Sequence, residues 1–310
     1  MPKIQIVEVG PRDGWQNLKQ LLSFEEKTHL IDMIIGTGIN EMEVTSFVNP
    51  KVIPQMADST EVANYCIRNY PNVKFWALAP NYRGAKNAYT AGIRNIEYVI
   101  SVSETHNKAN INKTHDESIQ DLKRTLDELP DANIMTGLAT AFGCPFEGIP
   151  SQQKVLDFCG KLYETGIRSM LLGDTIGIGD PHQVRNLVSA VIHSFSDCSW
   201  QVHIHDTRGM GLVNTLAAIE CGITTVQSTL GGLGGCPFAP GASGNIATED
   251  LVYMLERMGY STGIRFEKLL TVAKYQKSFV EGIYSGHHIN IEDKPQKGLG
   301  HNFTNRFPTV

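Results

Sequence analysis

Two histidines, His203 and His205, are separated by one residue in the sequence Gln201-Val-His-Ile-His-Asp-Thr207. The hydrophobic residues Val202 and Ile204 alternate with them, and this alternation predicts a buried β-strand. Side chains at positions i and i+2 of a strand leave the same face, so both imidazoles would point into the space that the strand lines. Such a pair can bind one metal ion, or it can be a pair of interior histidines held by hydrogen bonds. Residues elsewhere in the chain must decide between these interpretations.

A second group of polar residues follows the first predicted strand, in the sequence Gly10-Pro-Arg-Asp-Gly14. Glycine and proline at these positions predict a tight turn that directs Arg12 and Asp13 away from the strand end. Arg12 would provide a cation for a developing negative charge, and Asp13 would provide an oxygen ligand for a metal ion. The two residues could instead form an ordinary ion pair at a turn.

Polar residues also stand at two other predicted strand ends. Glu43 lies on the second strand, where an inward carboxylate needs a partner such as Arg12. Ser46 follows it and is typical of a cap or turn hydroxyl. Asp174 lies between glycines in Gly173-Asp-Thr-Ile-Gly177, and taken alone it is most simply interpreted as a turn residue.

The segment 231–245 is rich in glycine. It is either a mobile connector or a flap that becomes ordered over a substrate, and we favour the flap. A flap would bring Cys236 to the reacting groups as an acid, a base or a nucleophile. No Gly-Lys-Ser/Thr sequence follows, which excludes the form of a Walker nucleotide loop. Asn245, before the next predicted helix, is either a helix cap or an amide-oxygen metal ligand.

The composition limits the kinds of partner that we expect. Hydrophobic residues make up 41% of the 310 residues and charged residues 19%, values typical of a globular domain. The formal net charge of −5 provides no basic field, so neither nucleic acid nor a membrane is expected as a partner. The cysteines show no C-x-x-C spacing, and no hydrophobic run approaches the roughly 20 residues of a membrane helix. We therefore expect a reduced protein of the cytoplasm.

Short β-rich runs alternate with longer helical patterns along the chain, which is typical of βα units around a parallel sheet. The predicted strands are Ile4–Val9, Asn40–Thr45, Lys74–Leu78, Ile96–Ser101, Ile134–Thr140, Ser169–Leu172, Gln201–His205 and Thr224–Ser228. The helices predicted between them include Phe24–Ile35, Ser118–Leu129, Gln152–Glu164, Pro181–Ser194 and Gly211–Glu220.

Eight such units predict a single (β/α)8 TIM barrel over residues 1–284, with a short irregular C-terminal extension over 285–310. An open doubly wound sheet is the alternative, but no G-x-G-x-x-G sequence follows the first strand. The catalytic groups of a barrel lie at the C-terminal ends of its strands. The polar sequences described above fall at predicted strand ends, so this fold would bring them together.

Several of these sequences, in their order along the chain, resemble those of a known family. They are Val7-Glu-Val-Gly-Pro-Arg-Asp-Gly14, Glu43-Val-Thr-Ser-Phe47, Gly173-Asp-Thr-Ile-Gly177, Val202-His-Ile-His-Asp-Thr207, Gly231-Gly-Leu-Gly-Gly-Cys-Pro237 and the segment 241–255. From about residue 4 to about residue 270 the chain is similar to the 3-hydroxy-3-methylglutaryl-CoA lyases. These are metal-dependent carbon–carbon lyases, related to Claisen condensing enzymes, on TIM barrels. The resemblance implies cleavage of this acyl-CoA, or of a close 3-hydroxyacyl-CoA, to acetyl-CoA and acetoacetate by a homodimer.

The same resemblance implies a role for each candidate residue. The ligands of a Mg²⁺ or Mn²⁺ ion would be Asp13, His203, His205 and Asn245. The catalytic residues would be Arg12, Glu43, Asp174, His203 and Cys236, with Arg12 facing the thioester oxygen and Cys236 transferring a proton. The residues that bind substrate would be Gln16, Ser46 and Thr207.

Three positions differ from the family pattern. Trp15 stands where leucine is usual and would place a large ring beside the site. Val102-Ser-Glu-Thr-His-Asn107 stands where Ala-Ser-Glu followed by an aromatic residue is common, and Arg208 stands where the animal enzymes have tyrosine. These differences bear on the shape of the acyl group, so a lyase for a citramalyl-like or other hydroxyacyl-CoA is an alternative. A condensing synthase is a second alternative, and a barrel that only binds acyl-CoA is a third.

Overall fold

The computed structural model describes residues 1–235 and 244–292, which include a closed barrel of parallel strands. The strands follow one another in chain order, and the last pairs with the first to close the barrel. They are β1 Gln5–Glu8, β2 Glu41–Ser46, β3 Lys74–Ala79, β4 Asn95–Ser101, β5 Asn133–Ala139, β6 Ser169–Asp174, β7 Ser199–Ile204 and β8 Thr225–Ser228. The (β/α)8 prediction is confirmed, and the predicted strand limits are shifted by at most two residues.

Helices flank the barrel, both between successive strands and after the last strand. Within the described ranges they are α1 Phe24–Ile35, α2 Ser59–Asn69, α3 Tyr82–Thr90, α4 Glu104–Ile111, α5 His115–Glu128, α6 Gln152–Tyr163, α7 Pro181–Ser194, α8 Gly211–Glu220, α9 Thr248–Arg257 and α10 Phe266–Phe279. None of these helices combines the length and the hydrophobicity needed to cross a membrane.

Helix α5 begins three residues before its predicted start at Ser118. The cap is Thr114, whose hydroxyl accepts the N–H of Glu117 while the Glu117 carboxylate accepts the N–H of Thr114. This reciprocal capping box satisfies two backbone donors at the helix end. The prediction placed the start too late because Ser118 is also a residue type that caps helices.

Alternation along the strands divides the side chains between the barrel interior and the layer beneath the helices. Inside the barrel, Val7 and Val9 of the first unit pack with Trp76, Met135 and Leu171 in a small apolar cluster. The outward side chains belong to the main hydrophobic core, which includes Met42, Val44, Val202 and Ile204. Polar side chains share the inward face with the small cluster, among them Glu43, Glu97, His203 and Gln227. Their positions place buried polar groups directly beneath the strand ends.

The chain after α10 lies against the loop that follows β8. The N–H of Gly286 donates to the carbonyl of Gly231 over 3.0 Å. The hydroxyl of Ser285 donates to the backbone carbonyl of Asn245 over 2.7 Å. The first part of the predicted extension, residues 285–292, is therefore in contact with the barrel, and its remainder lies outside the described residues. The domain limit at residue 284 stays a prediction.

Glu8 connects the two strands that close the barrel. Its carboxylate is completely buried and accepts the N–H of Gly10 and the N–H of Leu230, each over 2.8 Å. It also accepts the hydroxyl of Thr248, at the start of α9, over 2.6 Å. Burial raises the pKa of Glu8 to about 7, although these three donors act in the opposite direction. The closing strands therefore depend on a carboxyl group that is close to its titration range at neutral pH.

We predict that the chain loses stability between about pH 5.5 and pH 8 and that Glu8→Gln removes part of this loss. The pKa of Glu8 is about 7 in the folded chain against an ordinary 4.5, so the folded state holds the proton more strongly. Its stabilisation is complete below the unfolded pKa and is lost as the pH rises through the folded pKa. The part of this loss that is due to Glu8 amounts to about 2 kcal/mol in the free energy of unfolding between pH 5.5 and pH 8.

Urea denaturation at pH 5.5 and pH 8 in the presence of a chelator measures this difference. In Glu8→Gln the new amide oxygen can still accept both backbone N–H groups, so the variant should fold. Glu25→Gln, at an exposed position in the first turn of α1, is the matched control and should keep the full pH dependence. An equal pH dependence for Glu8→Gln and the parent chain would contradict the prediction.

Candidate active site

The strand ends surround a cavity of about 790 Å³. Polar side chains from β4, β7 and the turn after β1 form its inner wall. They are Arg12, Asp13, Gln16, Glu97, His203 and His205. The cavity lies at the C-terminal end of the barrel, as the positions of the polar sequences predicted.

Asp13, His203 and His205 converge at one side of this cavity. The Nε2 atoms of the two histidines are 3.1 Å apart, and the Nε2 atom of His203 is 3.9 Å from Oδ2 of Asp13. One ligand atom from each residue lies within 4.8 Å of the others. The three residues therefore form a group that could bind one metal ion. Asp13 follows β1, whereas the two histidines lie at the end of β7, so the group spans the β1–β8 pairing that closes the barrel.

Asn245 adjoins this group. Its Nδ2 atom lies 2.7 Å from Oδ2 of Asp13, and its backbone forms a bridge with that of His205. Gly234 permits this approach, because a Cβ atom at that position would lie 2.5 Å from Nδ2 of Asn245. Two imidazole nitrogens, a carboxylate oxygen and an amide group thus stand together, a donor set that suits a six-coordinate divalent cation.

The protonation states of these residues suit metal binding. Burial lowers the pKa of His205 to about 3, so its imidazole is neutral at physiological pH. Burial alone would raise the pKa of Asp13, but Arg12, the two histidines and the hydrogen bond from Asn245 together outweigh it, and the pKa is lowered. A neutral imidazole and an ionised carboxylate are the forms that bind metal ions.

Arg12 is buried between two carboxylates, those of Asp13 and Glu43. Its Nη1 atom donates to Asp13 and its Nε atom donates to Glu43, so the guanidinium is fixed in one plane. Burial raises the pKa of Glu43 to about 8 against the opposing charge of Arg12. Arg12 is therefore both the ion-pair partner of acids and part of the cavity wall.

The turn after β1 explains how two adjacent charged side chains reach the same cavity. Gly10–Gly14 forms a single π-helical turn with proline at its second position, and the N–H groups of Arg12 and Asp13 both donate to the carbonyl of Val9. Gly14 packs closely, because a Cβ atom there would lie 3.1 Å from the carbonyl oxygen of Leu233. Gln16, just after the turn, donates to Oδ1 of Asp13 over 3.2 Å.

Two predicted substrate-binding residues lie away from this cavity. Ser46 is completely buried, and its hydroxyl has no hydrogen-bond partner among the described residues. Thr207 packs against Gly177, where a Cβ atom would lie 2.9 Å from the threonine side chain. Neither residue is among the described residues that line the cavity. Their roles in substrate binding stay predictions from sequence.

Asp174 is the last residue of β6, and its side chain bonds to the turn that follows the strand. Its carboxylate accepts the N–H groups of Ile178 and Gly179 over 3.2 Å and 3.0 Å, and burial raises its pKa. The neighbours Gly173 and Thr175 line the cavity instead, because alternate residues of a strand face opposite sides. In this structure the Asp174 side chain stabilises the turn by accepting its backbone N–H groups. The catalytic role of Asp174 stays a prediction.

Trp15 and Arg208, which differ from the family pattern, are not among the described residues that line the cavity. The Trp15 ring is buried, and its Nε1–H group donates to Gln276 of α10 over 3.2 Å. Arg208 donates to the carbonyl oxygens of Ile176 and Gly177. Neither side chain lines the cavity among the described residues, so the expectation that Trp15 lies beside the site is wrong. The tight turn after β1 directs the ring into the core.

Two interior polar residues escaped the sequence analysis. Glu97 on β4 and Gln227 on β8 are both almost completely buried, and Glu97 lines the cavity. The available signal was a charged or amide residue within an otherwise hydrophobic strand. Cys236, by contrast, lies outside the described residues, although Gly235 beside it lines the cavity.

Comparisons with known proteins agree with this geometry. The model of the HMGL-like family matches residues 3–275. The hydroxymethylglutaryl-CoA lyase YngG of Bacillus subtilis is 44% identical over 275 residues, which cover 88% of this chain and 92% of that protein. The human mitochondrial hydroxymethylglutaryl-CoA lyase is 44% identical over 278 residues, which cover 89% of this chain and 85% of that protein.

A solved structure also matches along nearly the whole chain. It is an HMG-CoA lyase of Acinetobacter baumannii in complex with coenzyme A and 3-methylmalate, with a TM-score of 0.87 and 36% sequence identity. The match covers 99% of this chain and 98% of the other. The family match, the identity to the relatives and the common barrel lead to one conclusion: the chain belongs to the HMGL-like family.

Proposed function

We propose that the chain catalyses the divalent-metal-dependent cleavage of 3-hydroxy-3-methylglutaryl-CoA to acetyl-CoA and acetoacetate. The observation that carries this proposal is the convergence of Asp13, His203 and His205 beside the buried guanidinium of Arg12 in one cavity. The relatives named hydroxymethylglutaryl-CoA lyase support the choice of substrate. The solved relative with coenzyme A supports an acyl-CoA as the class of substrate.

The ion would be held by Asp13, His203, His205 and the amide oxygen of Asn245. These nitrogen and oxygen donors fit Mg²⁺ or Mn²⁺. When bound, such an ion acidifies a coordinated hydroxyl and neutralises developing negative charge. The residues themselves contribute the neutral imidazole of His205 and a carboxylate that Arg12 helps to keep ionised.

Arg12 would stabilise the charge that develops on the thioester oxygen. Cleavage removes the proton of the C3 hydroxyl and breaks the C2–C3 bond, and the electron pair of that bond passes to C2 and the thioester carbonyl. A proton must then be added to C2. Arg12 is fixed by Asp13 and Glu43, so its remaining N–H groups are oriented before the substrate binds. Cys236, Asp174 and His203 are the proposed participants in proton transfer, and Glu43 would orient Arg12 or this proton relay.

The remaining expectations concern the setting of the enzyme. We place it in the cytoplasm, a reducing compartment, because the five cysteines in the described part of the chain are free thiols. A homodimer is the proposed assembly. A citramalyl-like substrate gains no support from Trp15 or Arg208, since neither is among the described residues that line the cavity.

We predict that the purified protein releases acetyl-CoA from 3-hydroxy-3-methylglutaryl-CoA when Mg²⁺ or Mn²⁺ is present. A chelator should abolish the activity, and added metal should restore it. The assay follows acetyl-CoA by chromatography, with citramalyl-CoA as a parallel substrate. If citramalyl-CoA is cleaved faster than 3-hydroxy-3-methylglutaryl-CoA, then citramalyl-CoA is the better substrate and the proposed substrate is wrong. An absence of turnover with every thioester and metal would favour a barrel that only binds acyl-CoA.

We predict that His203→Ala and His205→Ala each weaken Mn²⁺ binding and reduce turnover while the barrel stays folded. Each substitution removes one nitrogen from the group of converging ligand atoms. Calorimetric titration with Mn²⁺ measures the affinity, and circular dichroism checks the fold. His193→Ala, at an exposed position of α7, is the matched control. Unchanged Mn²⁺ affinity in the double variant of His203 and His205 would show that the metal site is wrong.

We predict that Arg12→Lys lowers kcat about 100- to 1000-fold with little change in KM. Lysine keeps the positive charge, but it lacks the planar guanidinium group. That group can bond to two carboxylates and present further N–H donors to the cavity at the same time. Steady-state kinetics and Mn²⁺ titration together measure the effect. Arg124→Lys, in an exposed pair with Glu128, is the control. If Arg12→Lys keeps most of its turnover, Arg12 serves only as an ion-pair partner.

A further inference from the structure

Two buried side chains, those of Glu97 and Gln227, form a chain of hydrogen bonds that ends at the partly buried His203. The Nε2 atom of Gln227 donates to Oε2 of Glu97 over 2.9 Å. The Oε1 atom of Gln227 lies 2.8 Å from Nδ1 of His203. Gln227 is 2% exposed and Glu97 is 4% exposed, so little water can compete for these bonds. The function proposed above uses neither Gln227 nor Glu97.

The carboxylate of Glu97 determines which end of the Gln227 amide faces His203. A carboxylate oxygen accepts hydrogen bonds, so the NH₂ group of Gln227 must face Glu97. The amide oxygen then faces His203 and also accepts. The Nδ1 atom of His203 must therefore carry the proton, and its Nε2 atom presents a lone pair.

The fold holds this arrangement in place. Gln227 and His203 are register partners in the parallel pair β7 and β8, so their side chains leave adjacent strands side by side. Glu97 reaches across the interior from β4. Gly137 on β5 leaves room for it, because a Cβ atom there would lie 2.7 Å from Oε1 of Glu97.

We propose that Gln227 and Glu97 are positioning residues that hold the His203 ring with its proton on Nδ1, so that Nε2 faces the ion site. The inference rests on the proposed metal site. It predicts which neutral form of the ring exists before any ion binds. A ring free to place its proton on Nε2 would have to move that proton before it could bind a metal ion.

The first test measures the ring itself in the metal-free protein. Nitrogen-15 chemical shifts of labelled histidine at pH 8, above the ordinary histidine pKa of about 6.5, report which ring nitrogen carries the proton. His203→Ala identifies the signals. We expect the proton on Nδ1 in the parent chain and a mixture of both forms in Gln227→Met, which removes the acceptor. Gln201→Met, two residues before His203 on the same face of β7, is the matched control and should leave the signals unchanged.

The second test is rescue by exchange. In the double variant Glu97→Gln with Gln227→Glu, the new carboxylate accepts from both His203 and the new amide, so the proton should return to Nδ1. Mn²⁺ affinity should fall about 10- to 100-fold in Gln227→Met and recover to within a few-fold in the exchanged pair. Glu97→Met, which frees the Gln227 amide to rotate, should give a smaller loss. This variant keeps the test valid if Gln227→Met does not fold.

Either of two results would overturn the inference. One is a proton that stays on Nδ1 in both Gln227→Met and Glu97→Met, and the other is a folded exchanged pair that shows no recovery. Both readouts are independent of turnover. A protein without lyase activity but with the expected ring signals would contradict the proposed function alone, whereas an active protein with unchanged signals in the variants would contradict only the inference about Gln227 and Glu97.

Discussion

The buried guanidinium of Arg12 is the charge around which the interior of this barrel is arranged. A buried cation is stable only when it is paired, and Arg12 bonds directly to Asp13 and Glu43. The charge of Arg12 lowers the pKa of both acids, but burial outweighs it at Glu43, so Asp13 is ionised whereas Glu43 has a raised pKa. The arrangement places an ionised ligand and a group able to hold a proton within one small, water-poor space.

The strands and the polar turns were predictable because their signals are local. Alternation of hydrophobic residues predicted β7 and the shared face of His203 and His205, and glycine and proline predicted the turn that carries Arg12 and Asp13. The pairing of these groups then followed from the rule that strand ends of a barrel meet. This is why most of the candidate metal site could be predicted from short sequences.

The rest depends on where a side chain points after a strand ends and on contacts between distant strands. Asp174 ends β6 and bonds to the backbone N–H groups of the next turn, whereas Trp15 follows the turn after β1 and points into the core. Glu97 and Gln227 are 130 residues apart, and only the closed barrel brings them into contact. A sequence pattern carries no information about such a pair until the register of the strands is known.

The candidate ligands stand at opposite ends of the chain, Asp13 after β1 and His203, His205 and Asn245 after more than half of the sequence. During synthesis, the N-terminal strand emerges from the ribosome long before the strand that completes the site. The nascent chain therefore cannot acquire the ion through this set of residues until β7 and the segment around Asn245 have been translated. A metal ion held by this candidate group would therefore be bound late in maturation, and a chain terminated before β7 would lack both histidines.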